Sequence, residues 1–500
     1  MKVTFLPVGK QVEAEEKTVL MELIREQGIP MDFVCGGRKS CGKCKVLVTK
    51  GNNQIYSKAE ENLLTKEEKE KGYRLACCFR IEEDTCVILG HRKQKNIQKP
   101  EKKKIPHIKN AGIVFDIGTT TLEAAFVINN EQVLDTIIQT NPQRICGLDV
   151  ISRTAYAVQS ARNKRRLREL LLQALNSMIR EFQNRWEVEK EQITDLVVLG
   201  NTTMIFLFLD YHVEMLAKGN FKERFEGACL TAGEAGLVNT PKAKLYVPGT
   251  IGGHVGSDTL GCILATKLWE KQRTSIIVDV GTNGEIALVK GGQIAACSTA
   301  AGPAFEGANI IQGMRAKDGA IYRVEKQGNF LEIKTVGNGE PRGICGTGLI
   351  DAAAAFLELG WMNETGQLSK EKTALDTEKR VSLWQQDIRQ LQLAKSAVYS
   401  GIQVLLEAMD TSVEELDQIY IAGAFGSGLR PKNAVRIGLL PDIPEEKYTA
   451  IGNGSLKGGI AILKQKEMFQ KSNRLAAQTK HIALAENEHF KEIFIQNLDF

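Results

Sequence analysis

Hydrophobic positions near the N-terminus follow two different periods. VTFLPVG (3–9) alternates as a β-strand does, whereas VLMELIREQG (19–28) has the apolar spacing of an amphipathic helix and stops at Gly28. KVLVTK (45–50) and CVILG (86–90) are further extended apolar stretches. Together these patterns predict a small α+β domain over residues 1–90.

A different pattern begins at residue 111, where short apolar strands run into glycine-rich turns. IVFDIGTT (113–120) and IVDVGTNGE (277–285) each place an Asp and then a Gly-Thr turn after a β-branched strand, and QIYIAGAFGSG (418–428) is a third strand of this type. VVLGNTTM (197–204) and GICGTGLIDAAAAF (343–356) are related turns, for which ligand contact and ordinary strand-to-helix packing are both open. Residues 111–500, with a C-terminal tail from about 466, thus repeat one strand–loop unit in each half, a pattern typical of α/β domains.

Residues 91–110 separate these two regions and show no apolar periodicity. They contain two prolines and eight Lys or Arg against one Glu, which leaves the rest of the chain about neutral although the net charge is +5. A solvated, flexible linker is expected. No aromatic residues alternate with the charges, so nucleic-acid binding is not expected.

Composition places the chain among ordinary globular proteins of more than one domain. It has 500 residues, with 43% hydrophobic and 25% charged residues. No run approaches about 18 apolar residues and the start lacks the apolar core of a signal peptide, so we expect a cytoplasmic protein without a membrane partner. Most of the 11 cysteines are scattered singly, which favours a reducing compartment.

Four cysteines have metal-ligand spacing. Cys35, Cys41 and Cys44 lie in one short loop and Cys77 follows on what reads as a strand, which gives C-x5-C-x2-C-x32-C. Four such thiolates can enclose a [2Fe-2S] cluster, with a zinc site, a disulfide or buried free cysteines as alternatives. Because neighbours on a strand face opposite ways, either Cys77 or Cys78 is the fourth ligand. Three glycines allow the loop to turn its N–H groups inward: Gly36, Gly37 and Gly42.

The Gly-Thr turns suit a phosphate ligand, because successive N–H groups and threonine hydroxyls there can cradle its oxygens. Asp116 and Asp279 are predicted to organise Mg²⁺ and the attacking water. Glu285 is predicted to contact ribose or position water, with a surface carboxylate as the alternative, and Asp258 is a further candidate near the terminal phosphate. The residues predicted to hold phosphates are Gly118, Thr119, Thr120, Thr202, Gly281, Thr282, Asn283 and Gly284. Those predicted to shape an adenosine pocket are Gly423, Ala424 and Gly426.

The two regions resemble two known folds. The N-terminal region is similar to the β-grasp [2Fe-2S] ferredoxins, with an adrenodoxin-type spacing, and departs from them at Lys39, where such loops often carry glycine. Residues 111–465 resemble the superfamily of acetate kinase, sugar kinases, heat-shock ATPases and actin. That resemblance implies two ribonuclease-H-like lobes with Mg-ATP bound in the cleft between them.

The combination resembles the reductive activators of corrinoid-dependent methyltransferases, including those of O-demethylase systems. The stretches that carry this resemblance are NPQRICGLDVISR (141–153), LGNTTM (199–204), GSDT (256–259), CSTAAGPAFEGANIIQGMRA (297–316) and GICGTGLID (343–351). It implies ATP-dependent, one-electron reduction of Co(II) to Co(I) on a corrinoid protein partner. A low-potential electron donor is also implied, and a homodimer is left open.

Other functions are compatible with parts of the pattern. An activase of a radical dehydratase or of an aromatic-ring reductase uses a similar ATPase fold to drive electron transfer. A metabolite kinase would leave the cysteines unexplained, and a redox-sensing module would bind nucleotide without turnover. The segment Asp210-Tyr-His212-Val-Glu-Met215 lacks the glycine of a base-off cobalamin motif. The corrinoid is therefore expected on a separate protein.

Overall fold

The structure is a computed structural model that describes residues 1–500 except 7–8, 30, 32, 34–36, 38, 40–41, 53, 90–107, 130–131, 219–223 and 427. The side chains of residues 424 and 425 are likewise not described. Most of the predicted linker 91–110 lies outside the described residues, as do Cys35 and Cys41. Among the helices that are described, none combines the length and the apolarity needed to cross a membrane.

The N-terminal domain is a five-stranded sheet of order β2-β1-β5-β3-β4 with one helix packed on it. Val3 and Phe5 on β1 and Leu20 and Leu23 on α1 point into its core, as the two sequence periods predict. Its elements are β1 Lys2–Leu6, β2 Lys10–Glu13, α1 Leu20–Glu26, β3 Lys45–Lys50, α2 Lys58–Leu63, α3 Lys66–Glu70, β4 Tyr73–Leu75 and β5 Thr85–Leu89.

The first lobe of the second domain is a six-stranded sheet of order β10-β11-β9-β6-β7-β8. The long helix α5 covers one face, where Phe182 stacks on Phe126 of β7 with ring centroids 5.2 Å apart. Its elements are β6 Ala111–Ile117, β7 Thr121–Ile128, β8 Gln132–Thr140, α4 Val150–Val158, α5 Ala161–Trp186, β9 Ile193–Leu199, α6 Thr202–Leu209, α7 Glu214–Ala217, β10 Ala228–Thr231, β11 Lys244–Val247 and α8 Ser257–Thr266.

The second lobe is built on a six-stranded sheet of order β21-β20-β12-β13-β14-β22. Its elements are β12 Ser275–Val280, β13 Gly284–Lys290, β14 Gln293–Thr299, β15 Ala320–Gln327, β16 Phe330–Thr335, β17 Gly343–Ile344, α9 Gly346–Leu359, β18 Lys372–Ala374, β19 Ser382–Trp384, α10 Gln385–Ala408, β20 Gln418–Ala422, α11 Gly423–Gly426, α12 Pro431–Arg436, β21 Tyr448–Gly452, α13 Gly454–Lys464, α14 Glu467–Gln478, β22 Lys480–His481 and α15 Glu488–Gln496. Residues predicted as a tail thus form α14, β22 and α15, and β22 pairs with β14.

The two lobes repeat one topology. In the first, β6-β7-β8 is an antiparallel meander and β9 lies parallel to β6 on its other side. In the second, β12-β13-β14 is the meander and β20 lies parallel to β12. The repeated strand–loop pattern therefore places Asp116 and Asp279 near the ends of equivalent strands, β6 and β12.

Helices α8 and α13 cross between the two sheets at glycines. A Cβ on Gly458 would lie 2.2 Å from the carbonyl oxygen of Gly261, and a Cβ on Gly459 would lie 2.3 Å from Val114. The apolar cluster around these helices contains side chains of both sheets, such as Val114 and Ile277. Close backbone contact here holds the lobes together at the base of the cleft.

The N-terminal domain touches the first lobe through Arg25. Its Nε donates to the carbonyl oxygen of Ile145 at 2.6 Å, and its guanidinium lies 5.6 Å from the ring centroid of Tyr156. Arg166 donates in return to the Arg25 carbonyl oxygen at 3.3 Å. These contacts join helix α1 of one domain to helices α4 and α5 of the other, and to Ile145 just before α4.

Candidate functional site

Cys44 and Cys77 come together in the N-terminal domain. Their Sγ atoms are 3.3 Å apart, both residues are buried, and neither forms a disulfide. The Ala76 N–H donates to the Cys44 carbonyl oxygen at 2.9 Å and fixes the two segments side by side. Cys78 is partly exposed, with its Sγ 3.9 Å from that of Cys77.

The expectation that Cys77 and Cys78 lie on a strand is wrong. Strand β4 ends at Leu75, and the chain then turns, with the Cys78 N–H donating to the Leu75 carbonyl oxygen at 2.8 Å. The alternation of side chains along a strand therefore cannot decide which of the two thiols is the fourth ligand. Proximity to Cys44 favours Cys77 as the ligand.

The residues around these thiols fit an iron–sulfur cluster. The hydrogen bond to Cys44 and burial raise the pKa of the Cys77 thiol, so two thiolates here require a positive centre. Gly37 and Gly42 have φ of +100° and +64°. A Cβ on Gly37 would lie 2.7 Å from Met21 Cε. Lys39, where the sequence departs from ferredoxin loops, also has a positive φ of +59°.

A second site occupies the cleft between the two lobes. It has a volume of about 560 Å³ and is lined from both lobes. That volume suits a small organic ligand such as a nucleotide. The sequence-predicted residues that line it are Asp116, Gly118, Thr119, Thr120, Asp258, Asp279, Gly281, Thr282, Asn283, Glu285 and Gly423.

Four half-buried carboxyl groups face this cleft: Asp116, Asp258, Asp279 and Glu285. Burial raises the pKa of Asp116 to about 6, and burial together with the Asp116 charge raises those of Asp258 and Asp279 to about 7. Burial and the charge of Asp258 also raise the pKa of Glu285. Carboxyl groups crowded in this way favour a cation, which would offset their mutual repulsion.

Asp116 is held by residues from the far end of the chain. Asn453 Nδ2 donates to Asp116 Oδ2 at 2.8 Å and to Glu123 at 2.8 Å, and Ser455 donates to Asp116 Oδ1 at 3.0 Å. The Asn453 side chain also caps helix α13 by accepting from the Leu456 N–H. The sequence signal that could have located Asn453 and Ser455 is an apolar strand, β21, that runs into the turn IGNGS (451–455).

The first Gly-Thr turn (118–120) is held by hydrogen bonds from two residues that the sequence analysis did not single out. Asn201 donates to the Thr119 hydroxyl at 2.9 Å, and the fully buried Arg153 donates to the Thr119 carbonyl oxygen. Burial lowers the pKa of Arg153 to about 9. Its guanidinium places a positive charge directly behind the loop.

Some predicted phosphate and adenosine residues do not line the cleft. Thr202 is fully buried at the start of α6, where its hydroxyl donates to the Val255 carbonyl oxygen at 3.1 Å. Gly284 lies in β13, paired with Val280. Gly426 ends the short helix α11 against Ile421. The Ala424 side chain lies outside the described part.

Gly423 has a specific reason to be glycine. Its φ is +80°, and a Cβ there would lie 2.7 Å from Asp279 Oδ1. The turn after β20 therefore packs directly against the carboxylate at the end of β12.

Three family descriptions together match most of the chain. "2Fe-2S iron-sulfur cluster binding domain" matches residues 3–82, "RACo middle region" matches 111–271, and "C-terminal domain of RACo the ASKHA domain" matches 273–500. The fold and the two sites thus define an iron–sulfur protein with an ASKHA-type nucleotide cleft.

Similar proteins narrow this class. The chain is 27% identical to "Corrinoid activation enzyme RamQ" of Eubacterium limosum, over 100% of this chain and 99% of that protein. It is 26% identical to "[Co(II) methylated amine-specific corrinoid protein] reductase" of Methanosarcina barkeri, over 78% of this chain and 77% of that protein. The solved structure "Reductive activator for corrinoid,iron-sulfur protein" superposes on this chain with a TM-score of 0.72 at 27% identity. The match covers 100% of this chain and 98% of that protein. The chain belongs to the RACo-type family of reductive corrinoid activators.

Proposed function

We propose that the protein restores corrinoid cobalt from Co(II) to Co(I) by a one-electron transfer coupled to ATP hydrolysis. The observation that carries this function is the pairing, in one chain, of a [2Fe-2S] domain with an ASKHA cleft, over the full length shared with corrinoid activators. The chain has no base-off cobalamin motif, so the cobalt is the substrate and arrives on a corrinoid protein.

The first role is to hold the electron-transfer centre. Cys35, Cys41, Cys44 and Cys77 are the proposed ligands, and the contact between Cys44 and Cys77 supports two of them. A [2Fe-2S] cluster bound there would supply one electron at a time. A low-potential reductant would replace that electron after each turnover, and its identity stays open.

The second role is to bind and hydrolyse ATP. The Gly-Thr turns at 118–120 and 281–283 would hold the phosphates, and Asp116 and Asp279 would orient a hydrated Mg²⁺ and the attacking water. Raised carboxyl pKa values and the support of Asp116 by Asn453 and Ser455 favour this arrangement. Closure of the lobes would couple the nucleotide to electron transfer.

Coupling to ATP has a thermodynamic reason. For a one-electron step, about 59 mV corresponds to a factor of ten in the equilibrium constant, or about 1.4 kcal/mol. If the cobalt were on the order of 200 mV more negative than the cluster, the transfer would cost nearly 5 kcal/mol by the same conversion. A nucleotide-driven change of shape could offset that cost.

A cytoplasmic location, a homodimer and the absence of a nucleic-acid partner stay predictions.

The test is anaerobic reduction of a Co(II) corrinoid protein, followed in the visible spectrum. The reduced protein should produce Co(I) with Mg-ATP and much less without it. Cys44→Ser should abolish Co(I) formation while ATP binding persists. Absence of Co(I) with several corrinoid proteins would instead favour an activase of a radical dehydratase or aromatic-ring reductase.

A further inference from the structure

Glu306 is a cleft residue to which the proposed function gives no role. It ends a short 3-10 turn, Pro303–Glu306, between two glycines with positive φ, Gly302 at +75° and Gly307 at +77°. A Cβ on Gly307 would lie 2.5 Å from the Met314 nitrogen. The turn is therefore tightly fixed, and it carries the Glu306 side chain into the cleft.

The Glu306 carboxylate bridges the two Gly-Thr turns, 118–120 and 281–283. Its Oε1 accepts from the Thr120 hydroxyl at 3.2 Å and also from the Thr282 hydroxyl. The two hydroxyl oxygens are themselves 3.2 Å apart. Thr120 belongs to the first lobe and Thr282 and Glu306 to the second, so these hydrogen bonds link the two lobes across the cleft.

We infer that Glu306 is a positioning residue that clasps the two lobes through Thr120 and Thr282 and competes with the nucleotide phosphates for these hydroxyls. This inference rests on the proposed ATP site. A carboxylate and a phosphate are both anionic acceptors, and both need the same two hydroxyl donors. Phosphate oxygens can engage Thr120 and Thr282 together only after the Glu306 carboxylate has swung away.

The clasp has two consequences for the cleft. The lobes stay in contact before ATP enters, because the Thr120 and Thr282 hydroxyls donate to the Glu306 carboxylate and not to water. Part of the binding free energy of ATP is used to break this contact, which weakens the apparent affinity. Loss of the carboxylate should therefore strengthen nucleotide binding, whereas loss of a phosphate ligand would weaken it.

The experiment measures Mg-ADP and Mg-adenylyl imidodiphosphate binding by calorimetry, without turnover. Glu306→Ala should lower the Kd about tenfold, which corresponds to about 1.4 kcal/mol. Glu306→Gln should give a smaller decrease, because its amide oxygen can still accept from the hydroxyls. Amide hydrogen exchange at 118–121 should accelerate in nucleotide-free Glu306→Ala. Glu332→Gln removes an exposed carboxylate from hairpin β15–β16 as a control and should leave the Kd unchanged.

The outcomes separate the clasp from the site on which it rests. Unchanged affinity in both Glu306 variants would overturn the clasp, and weaker binding would assign Glu306 to holding Mg²⁺ instead. If the wild-type protein bound neither nucleotide at millimolar concentration, the proposed ATP site would fail. Circular dichroism establishes that each variant is folded before its affinity is compared.

Discussion

Asp279 is the residue on which ATP turnover should depend most directly. Asp279→Asn keeps the shape of the side chain but removes the charge that would orient Mg²⁺, so kcat for ATP hydrolysis should fall about 100-fold or more. The visible spectrum of the cluster should be unchanged, because the paired cysteines lie in the other domain. Phosphate release and the absorption spectrum are measured on the same sample. Loss of both would assign Asp279 a structural role.

The crowded carboxyl groups make stability depend on pH and Mg²⁺. Burial raises the pKa of Asp258 and Asp279 to about 7, so these groups are more easily protonated in the folded state than in the unfolded chain. Their contribution to stability is fully present below their ordinary pKa near 3.8 and is lost as pH rises through about 7.

Asp258→Asn tests this dependence. At pH 8 without ligand it should raise the free energy of unfolding by about 1–3 kcal/mol, with a much smaller effect at pH 5. Mg²⁺ should stabilise the wild-type protein more at pH 8 than at pH 5. Thermal unfolding at both pH values, with and without Mg²⁺, measures these effects. An equal effect of the substitution at both pH values would contradict the electrostatic explanation.

Single residues show where sequence reasoning succeeded and where it stopped. Asp116 and Asp279 could be placed because each lies near the end of a recognisable strand. For the turn with Thr202, phosphate contact and ordinary packing were both open, and the hydrogen bond from its hydroxyl to the Val255 carbonyl oxygen favours packing. Glu306 and Asn453 reach the cleft only through the topology, and nothing in their local sequence indicates which distant loops they contact.

At the scale of elements, the crossing of α8 and α13 depends on Gly458. Gly458→Ala places a Cβ 2.2 Å from the Gly261 carbonyl oxygen, so the helices must separate. Overpacking of this kind should lower the free energy of unfolding by about 1–3 kcal/mol. Gly339→Ala is the matched control, since no atom lies within 4 Å of its Cβ position and its φ is −89°. Chemical denaturation of both variants is the measurement, and equal stabilities would refute the close crossing.

The order of elements was easier to predict than their packing. Alternation along β1 and β3, and the apolar β6 and β12, located strands because each pattern reflects the local burial of one segment. The position of α13 could not be read in this way. Its apolar residues indicate a buried helix but not that it packs against β6, more than 300 residues earlier in the chain.

At the scale of the molecule, Arg25 should decide how firmly the cluster domain is held. Arg25→Ala removes the hydrogen bond to Ile145 and the contact with Tyr156, so the N-terminal domain should separate from the first lobe. Small-angle X-ray scattering should then show a larger radius of gyration, with the cluster spectrum unchanged. Arg162→Ala, which removes an exposed ion pair with Glu26 at the same interface, should have little effect. An unchanged radius for Arg25→Ala would rule out this role.

The short helix Pro142–Ile145 lies next to both the cleft and the N-terminal domain. Next to it, Asn141 donates to the Gly118 carbonyl oxygen of the first Gly-Thr turn at 2.9 Å, and the Ile145 carbonyl oxygen accepts from Arg25. If ATP loosens the domain through this helix, thermodynamic reciprocity requires the converse by the same factor. A corrinoid protein that separates the cluster domain from the first lobe would then increase the affinity for ATP. The Co(II) substrate would in this way promote binding of the ATP that its own reduction consumes.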